Sequence, residues 1–164
     1  MGKVGDATAA ATFVTFLNHY FITGGPGEIV GVDEGGEGPG WERTGYGFRA
    51  FITETGIPPD ALPVCRFYGT PGRGPSSNFY TVRASECAAV NLDPEWTYEG
   101  IAFYAYAPVN DQCAVGRQAV CRVYNNRLAL NNSNHRYLTD AGEYARMQML
   151  GWVPEVVVFY GAPL

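Results

Sequence analysis

Three strings of the sequence decide the fold: Trp41-Glu-Arg-Thr-Gly45-Tyr-Gly-Phe48, Trp96-Thr-Tyr-Glu-Gly100-Ile-Ala-Phe103 and Trp152-Val-Pro-Glu-Val156-Val-Val-Phe159. In each string a phenylalanine follows the tryptophan by seven residues, and the three tryptophans are 55 and 56 residues apart. A spacing that recurs three times in one chain indicates an internal repeat of one structural unit.

Other landmarks precede each tryptophan in the same order. An opening strand is predicted at residues 13–17, 64–68 and 120–124. A second string follows it: Asn18-His19-Tyr20-Phe21-Ile22-Thr23, Ser77-Asn78-Phe79-Tyr80-Thr81 and Asn134-His135-Arg136-Tyr137-Leu138-Thr139. This alignment makes His19 and His135 equivalent. A glutamate comes four or five residues later, as Glu28, Glu86 and Glu143. The repeats therefore cover approximately 13–51, 64–106 and 120–162 of a single domain spanning 1–164.

The composition favours a mainly β fold with short helices. Twenty-one glycines, 11 prolines, 11 tyrosines and nine phenylalanines suit short strands and tight turns. Short helices are predicted at 84–90 and 141–150, whereas 24–40 is too glycine-rich for more than one helical turn. Because one such unit cannot bury its apolar face alone, the three copies should share a core around a pseudo-threefold axis. This predicts a β-trefoil-like fold, with another threefold α+β assembly as the alternative. The predicted core residues are Trp41, Trp96, Trp152, Phe48, Phe103 and Phe159.

The charge pattern excludes some partners. The net charge is −5 and no cluster of Lys and Arg occurs, which argues against nucleic-acid binding. The longest apolar runs, such as Val156–Tyr160, have the length of a strand, so no membrane-spanning segment is predicted. The start, Met1-Gly2-Lys3, leads into an alanine-rich stretch without an apolar signal-peptide region. If the protein is exported, this chain is therefore expected to be the mature form with a new start.

Four cysteines support export. Cys65, Cys87, Cys113 and Cys121 form no Cys-x-x-Cys motif, so a zinc site has little support and neither a metal nor a cofactor is predicted. An even count in a compact chain rich in turns indicates two disulfides and an oxidising compartment. Three pairings are possible. Cys65–Cys87 and Cys113–Cys121 are favoured because each closes a local loop.

The strings Cys65-Arg-Phe-Tyr68, Asn134-His-Arg-Tyr-Leu-Thr139 and Trp96-Thr-Tyr-Glu-Gly-Ile-Ala-Phe-Tyr104 resemble a repeat family of uncharacterised function in secreted bacterial proteins. Members of that family are often appended to cell-wall hydrolases or peptidases. The resemblance covers residues 13–163 and implies an extracellular, non-catalytic accessory module. The first copy departs most from the pattern, because it has Gly45-Tyr-Gly where the middle copy has Gly100-Ile-Ala.

Catalysis is not expected, because residues that recur by repeat are usually there for architecture. Carbohydrate binding fits the residue types better, since aromatic rings stack on sugars while amides, imidazoles and carboxylates bind hydroxyl groups. The predicted ligand is therefore a glycan or another cell-envelope polymer, bound weakly at up to three sites that together provide avidity. The candidate ligand-binding residues are Asn18, His19, Tyr20, Asn78, Tyr80, Tyr98, Glu99, Asn134, His135, Tyr137 and Glu155.

Protein interaction is the alternative function. The loop Gly69–Ser76 presents Arg73, as the reactive loop of a protease inhibitor does. A subunit of a surface assembly or filament, formed by copies of this chain, belongs to the same class.

Overall fold

The computed structural model describes residues 8–16, 19–36, 38–52, 54–108 and 117–162. The strands are β1 (Thr8–Phe16), β2 (His19–Thr23), β3 (Glu42–Phe51), β4 (Ala61–Gly69), β5 (Asn78–Thr81), β6 (Trp96–Tyr106), β7 (Ala119–Tyr124), β8 (His135–Leu138) and β9 (Val153–Tyr160). The helices are α1 (Pro26–Asp33), α2 (Ala84–Asn91) and α3 (Ala141–Met149), and a 3₁₀ turn covers Leu128–Leu130. The chain is mainly β, as predicted, and its strands form one curled antiparallel sheet.

The same strand–strand–helix–strand order occurs three times. Unit 1 comprises β1, β2, α1 and β3, unit 2 comprises β4, β5, α2 and β6, and unit 3 comprises β7, β8, α3 and β9. In each unit the first strand lies in the centre and pairs antiparallel with both the second and the third strand. A hairpin therefore starts each unit, and the helix carries the chain to the opposite edge of that hairpin.

The register of the ladders identifies equivalent positions. Opposite Ile22, Tyr80 and Tyr137 of the second strands lie Phe13, Arg66 and Arg122 of the first strands. This register corrects one predicted equivalence. His135 lies two residues before Tyr137, as Tyr20 lies two residues before Ile22 and Asn78 two residues before Tyr80. His135 therefore corresponds to Tyr20 and Asn78, not to His19. The position of His19 is taken in the third copy by Asn134.

The units meet at three phenylalanines. The ring centroids of Phe48, Phe103 and Phe159 lie 5.4, 5.5 and 5.6 Å apart in their three pairings, and all three side chains are buried. Aromatic pairs at such separations stabilise a core beyond the area they bury.

Short backbone contacts near this centre join the ends of the third strands. Phe51 pairs with Tyr104 and Tyr106 pairs with Tyr160. The Ala162 amide donates to the Arg49 carbonyl at 2.7 Å. Each of the three units is thus joined to both others beside the phenylalanine cluster.

The tryptophans correct the predicted core. Trp41, Trp96 and Trp152 are only partly buried and lie at or just before the starts of β3, β6 and β9. Seven residues of extended chain separate each one from its central phenylalanine, a distance of roughly 23 Å at 3.3 Å per residue. The tryptophans therefore lie at the rim of the sheet while the phenylalanines occupy its centre.

The two predicted helices are present as α2 and α3, and α1 is an additional one. Residues 24–40 were expected to form no more than a turn, yet α1 extends over eight residues. Pro26 lies in its first turn, where a missing amide proton costs nothing, and Glu28 lies near the positive end of the helix dipole. Val32 is buried against the sheet. Tertiary packing therefore outweighs the low helix propensity of Gly27 and Gly31.

A disulfide joins Cys65 of β4 to Cys87 of α2, as predicted. Cys113 lies outside the described residues, so its pairing with Cys121 stays a prediction. None of the helices in the described part of the chain has the length and apolar character needed to cross a membrane.

Candidate functional site

Three clefts lie between neighbouring units, and buried or partly buried arginines and glutamates line them. We call them the 1–2, 2–3 and 3–1 clefts, after the units that form them. One wall of each comes from the second strand and the helix start of the first-named unit. The other wall comes from the first and third strands of the next unit. The residues that line these walls occupy equivalent positions, which allows a direct comparison.

In the 1–2 cleft an arginine lies between two carboxylates. Arg66 of β4 contacts Glu28 of α1 with its Nη1 at 3.0 Å and Glu99 of β6 with its Nε at 3.0 Å. Burial disfavours the charged form of Arg66, but the neighbouring carboxylates prevail and raise its pKa. Two cavities remain beside this arginine, one of about 140 Å³ and one of about 250 Å³.

The 2–3 cleft repeats this arrangement. Arg122 of β7 contacts Glu86 of α2 at 3.0 Å through Nη2 and Glu155 of β9 at 2.8 Å through Nε. Its side chain is only 7% exposed, and the ion pairs raise its pKa despite the burial. Two carboxylates per guanidinium satisfy the charge that burial would otherwise penalise. These two arginines are therefore structural groups that hold neighbouring units together.

A β-bulge aims the carboxylate of Glu99 into the 1–2 cleft. Arg66 pairs with Gly100 and Phe67 with Tyr98, so Glu99 is the extra residue of β6. Gly100 has a φ of 108°, a conformation that residues with a Cβ rarely adopt.

Two tyrosine hydroxyls bind backbone across unit boundaries. The Tyr80 hydroxyl accepts from the Ile22 amide at 2.9 Å and donates to the Ile22 carbonyl at 3.0 Å. The Tyr137 hydroxyl makes the same two bonds to Tyr80, at 2.7 and 3.1 Å. Both side chains are buried, and burial raises the pKa of both phenols. Their polar atoms are thus engaged within the protein.

His135 is a neutral imidazole whose side chain is largely buried, at 11% exposure. Its ring stacks on Tyr124 at 5.0 Å and meets Phe79 edge-on at 5.1 Å. Burial, assisted by the positive charge of Arg122, lowers its pKa to about 3. Glu155 lies 3.8 Å from Nε2, but that carboxylate already binds Arg122 and does not hold a proton on the ring.

The 3–1 cleft lacks the arginine that fills the other two. Phe13 takes the place of Arg66 and Arg122, and its buried ring packs on Phe48 at 5.7 Å. The residue three positions after the tryptophan is Glu99 in unit 2 and Glu155 in unit 3, but Thr44 in unit 1. Without the guanidinium and its second carboxylate, a cavity of about 340 Å³ remains. This volume lies within the usual range of small-molecule sites, roughly 300–1,000 Å³.

An arginine and a tyrosine distinguish this cavity further. Arg136 stands where units 1 and 2 have Phe21 and Phe79. Its guanidinium carbon lies 3.7 Å from the centre of the Tyr20 ring and 5.1 Å from that of Trp152. Tyr46, 45% exposed, replaces the Ile101 and Val157 of the other units.

The family described as "Domain of unknown function (DUF5648)" matches residues 33–162. The chain belongs to this family. No curated protein and no solved structure matches the chain. The DUF5648 region contains β3 to β9, whereas β1, β2 and nearly all of α1 precede it. The 3–1 cleft therefore combines DUF5648 residues of unit 3 and β3 with Phe13 and Tyr20 from the preceding hairpin.

The structure distributes the predicted binding residues among different environments. Tyr20 and Tyr137 line the 3–1 cavity, while Asn78 and Glu99 line the 1–2 cleft. Glu155 holds Arg122, and Tyr98 lies exposed over Phe67 at a centroid distance of 5.2 Å. His19 contacts the Ser76 carbonyl at 2.6 Å through Nδ1. Buried Asn134 bonds Asn125 and Ser77, and Asn18 lies outside the described residues. The asparagines and histidines thus do not form three equivalent shallow pockets.

The sequence interpretation missed the arginines. Arg66 and Arg122 recur inside the strings Val64-Cys-Arg-Phe-Tyr68 and Val120-Cys-Arg-Val-Tyr124, and a glutamate recurs at the start of each helix. A cation and an anion that recur together inside apolar repeats indicate a buried ion pair. The absence of that arginine from the first copy was the available signal for a different third cleft.

Proposed function

We propose that this protein is a non-catalytic, extracellular module that binds a glycan or another cell-envelope polymer in the 3–1 cleft. The single observation that carries the proposal is the cavity of about 340 Å³ at this junction, where the arginine of the other two clefts is replaced by Phe13. It combines an exposed tyrosine with hydroxyl, carboxylate and guanidinium groups. Sugars are recognised by this combination of an aromatic face and hydrogen-bonding groups.

We further propose a pseudo-threefold arrangement in which the three units surround the phenylalanine cluster. The repeated ladder registers support it, and so do the near-equal distances among Phe48, Phe103 and Phe159. The partly buried tryptophans at the rim and the helices distinguish the arrangement from a standard β-trefoil. In this arrangement an arginine with two carboxylates bridges each of two clefts, whereas the third has Phe13 in place of that arginine and holds the cavity of about 340 Å³.

The disulfide supports the extracellular part of the proposal. The Cys65–Cys87 disulfide is compatible with an oxidising compartment. A module of this kind would attach to a polymer, so weak affinity for a single sugar would suffice when several modules bind one polymer.

The test is binding of the full chain to an array of neutral and acidic glycans and to isolated cell-wall material. We expect retention that Tyr46→Ala lowers at least tenfold. Tyr98→Ala is the matched control, because Tyr98 is 43% exposed against 45% for Tyr46 and does not line the cavity. If no glycan is retained above background, or if both variants behave alike, the proposal fails.

Protein interaction is the competing function, and the same preparation tests it. Arg73 lies exposed on the turn that follows β4. An inhibitor would lose activity against a trypsin-like protease in Arg73→Ala, whereas a glycan binder would keep its glycan affinity. A surface-assembly subunit would instead form particles larger than 17.8 kDa in light scattering.

A further inference from the structure

We infer that the ligand of the 3–1 cleft is an acidic sugar whose carboxylate pairs with Arg136. This inference rests on the proposed glycan-binding function and narrows its ligand to one chemical class.

The first step is the charge of Arg136. No carboxylate lies within ion-pair distance of it among the described residues. Its Nη1 contacts the sulfur of Met147 at 3.2 Å, and its buried Nε has no hydrogen-bond partner in the described part of the chain. Burial and the nearby Arg146 lower its pKa to about 10, so the group stays charged at neutral pH. A charge that burial penalises and no carboxylate neutralises favours an anion from outside.

The second step is the state of the neighbouring carboxylates. Glu143 binds Arg146 at 2.9 Å, and Asp33 binds Arg43. Asp140 caps α3 by accepting from the Glu143 amide at 2.8 Å. Each of these acids is thus engaged elsewhere. Glu42 also lines the cavity, as an exposed residue at the start of β3.

The third step is the comparison with the other clefts. Arg66 and Arg122 each have a glutamate three residues after a tryptophan as a partner, whereas the 3–1 cleft has Thr44 at this position. The protein therefore supplies the second carboxylate in two clefts and omits it in the third. The first-strand arginine is absent there too, and the guanidinium in this cleft is that of Arg136 of β8, which has no ion-pair partner among the described residues. A ligand carboxylate supplies that partner, and the volume left vacant accommodates the sugar that carries it.

The aromatic groups complete the recognition. Tyr20 and Trp152 contact the Arg136 guanidinium and restrict its motion, which lowers the entropy lost on binding. Tyr46 supplies an exposed aromatic surface on the same cavity. The arrangement thus offers a fixed cation beside an aromatic face, as a uronic acid requires.

The experiment measures binding of trigalacturonate, its methyl ester and glucose 1-phosphate to the full chain by titration calorimetry. We expect trigalacturonate to bind at least tenfold more tightly than the neutral ester, and added salt to weaken it. Arg136→Met, which keeps an unbranched apolar stem and removes the guanidinium, should abolish this preference, and Arg136→Lys should restore part of it. Thermal unfolding confirms that the variants are folded.

Three controls make the test specific. Arg73→Met removes the same charge from a loop that does not line the cavity, and it should leave binding unchanged. Glu42→Gln should leave binding unchanged or strengthen it. Thr44→Glu introduces the carboxylate that the other clefts have at this position. It should weaken the binding of trigalacturonate by repulsion and leave the binding of the methyl ester unchanged.

The outcomes separate this inference from the proposed function. Equal binding of the acid and the ester, unaffected by Arg136→Met, overturns the inference and leaves a neutral glycan as ligand. Preference for glucose 1-phosphate, lost in Arg136→Met, also overturns it, because the anion is then a phosphate. If no sugar binds here or on the glycan array, both the inference and the proposed function fail.

Discussion

At the residue scale, this protein uses equivalent positions for different purposes. The positions of Arg66 and Arg122 hold ion pairs in two units, and in the first unit Phe13 contributes to the apolar core instead. His135 occupies the position of Tyr20 and Asn78, but it is enclosed by aromatic rings. The environment supplied by the next unit, rather than the residue type alone, therefore decides what each side chain does.

His135 provides a prediction on pH. Its pKa of about 3 in the folded protein lies below its ordinary value of 6.5. Between these values the unfolded chain binds a proton that the folded chain does not, so the free energy of unfolding should decrease as the pH falls. Burial would raise the pKa of Glu86, but Arg122 stabilises its carboxylate and lowers that pKa below the ordinary value of 4.5. Glu86 therefore changes the free energy of unfolding only below about pH 4.5. The change in unfolding free energy between pH 7 and pH 5 therefore reports on the protonation of His135.

Urea denaturation at several pH values measures this effect. In His135→Gln the loss of stability between pH 7 and pH 5 should become smaller, whereas the control variant His19→Gln should retain it. An unchanged pH profile in His135→Gln would show that the imidazole is accessible to protons in the folded state.

At the element scale, one equivalent position of the three helices carries a different residue in each unit. In unit 2 the Cys65–Cys87 disulfide links α2 to β4. In unit 3 Tyr144 stands at the corresponding position of α3, and its hydroxyl donates to the Glu155 carbonyl at 2.9 Å. In unit 1 Ile29 takes this position in α1. One architecture thus tolerates a covalent bond, a hydrogen bond or an apolar side chain at the same place.

The disulfide provides the second prediction. The double variant Cys65→Ser/Cys87→Ser should lose about 3 kcal/mol of unfolding free energy, because the bond closes a loop between residues separated by 22 positions. Chemical denaturation without reductant measures the loss. Met149→Ala, an exposed change in another helix, should cost less than about 0.5 kcal/mol. If the double variant is as stable as the wild type, α2 is held by its packing alone.

At the scale of the whole molecule, stability depends on the phenylalanine cluster. Each ring contacts the other two, so Phe48→Ala, Phe103→Ala and Phe159→Ala should each cost about 3–5 kcal/mol, with similar values for all three. Leu92→Ala, at an 84% exposed position, is the control. Calorimetric unfolding provides the measurement. Costs that differ by more than about 2 kcal/mol among the three variants would contradict a centre shared equally by the units.

Much of the element order could be predicted from the sequence. The strings that begin at Trp41, Trp96 and Trp152 identified three units, and Ala141–Met149 was recognisable from its apolar spacing. These features depend on neighbours within a few residues, and local preferences determine them. The helix α1 was missed because its packing, and the contact of Glu28 with Arg66, involve residues far apart in the chain.

The amino-acid sequence by itself determined the repeat and the mainly β character, since spacing and residue type carry that information. It favoured the pairing of Cys65 with Cys87 among three possibilities, and the tertiary structure decided it. Only the tertiary structure decided that the phenylalanines, not the tryptophans, occupy the centre, and that Tyr80, Tyr137 and Asn134 are buried. It also decided that the three clefts differ. Each cleft is built by two units, so its contents depend on which side chains of one unit face the next, a relation that no local pattern encodes.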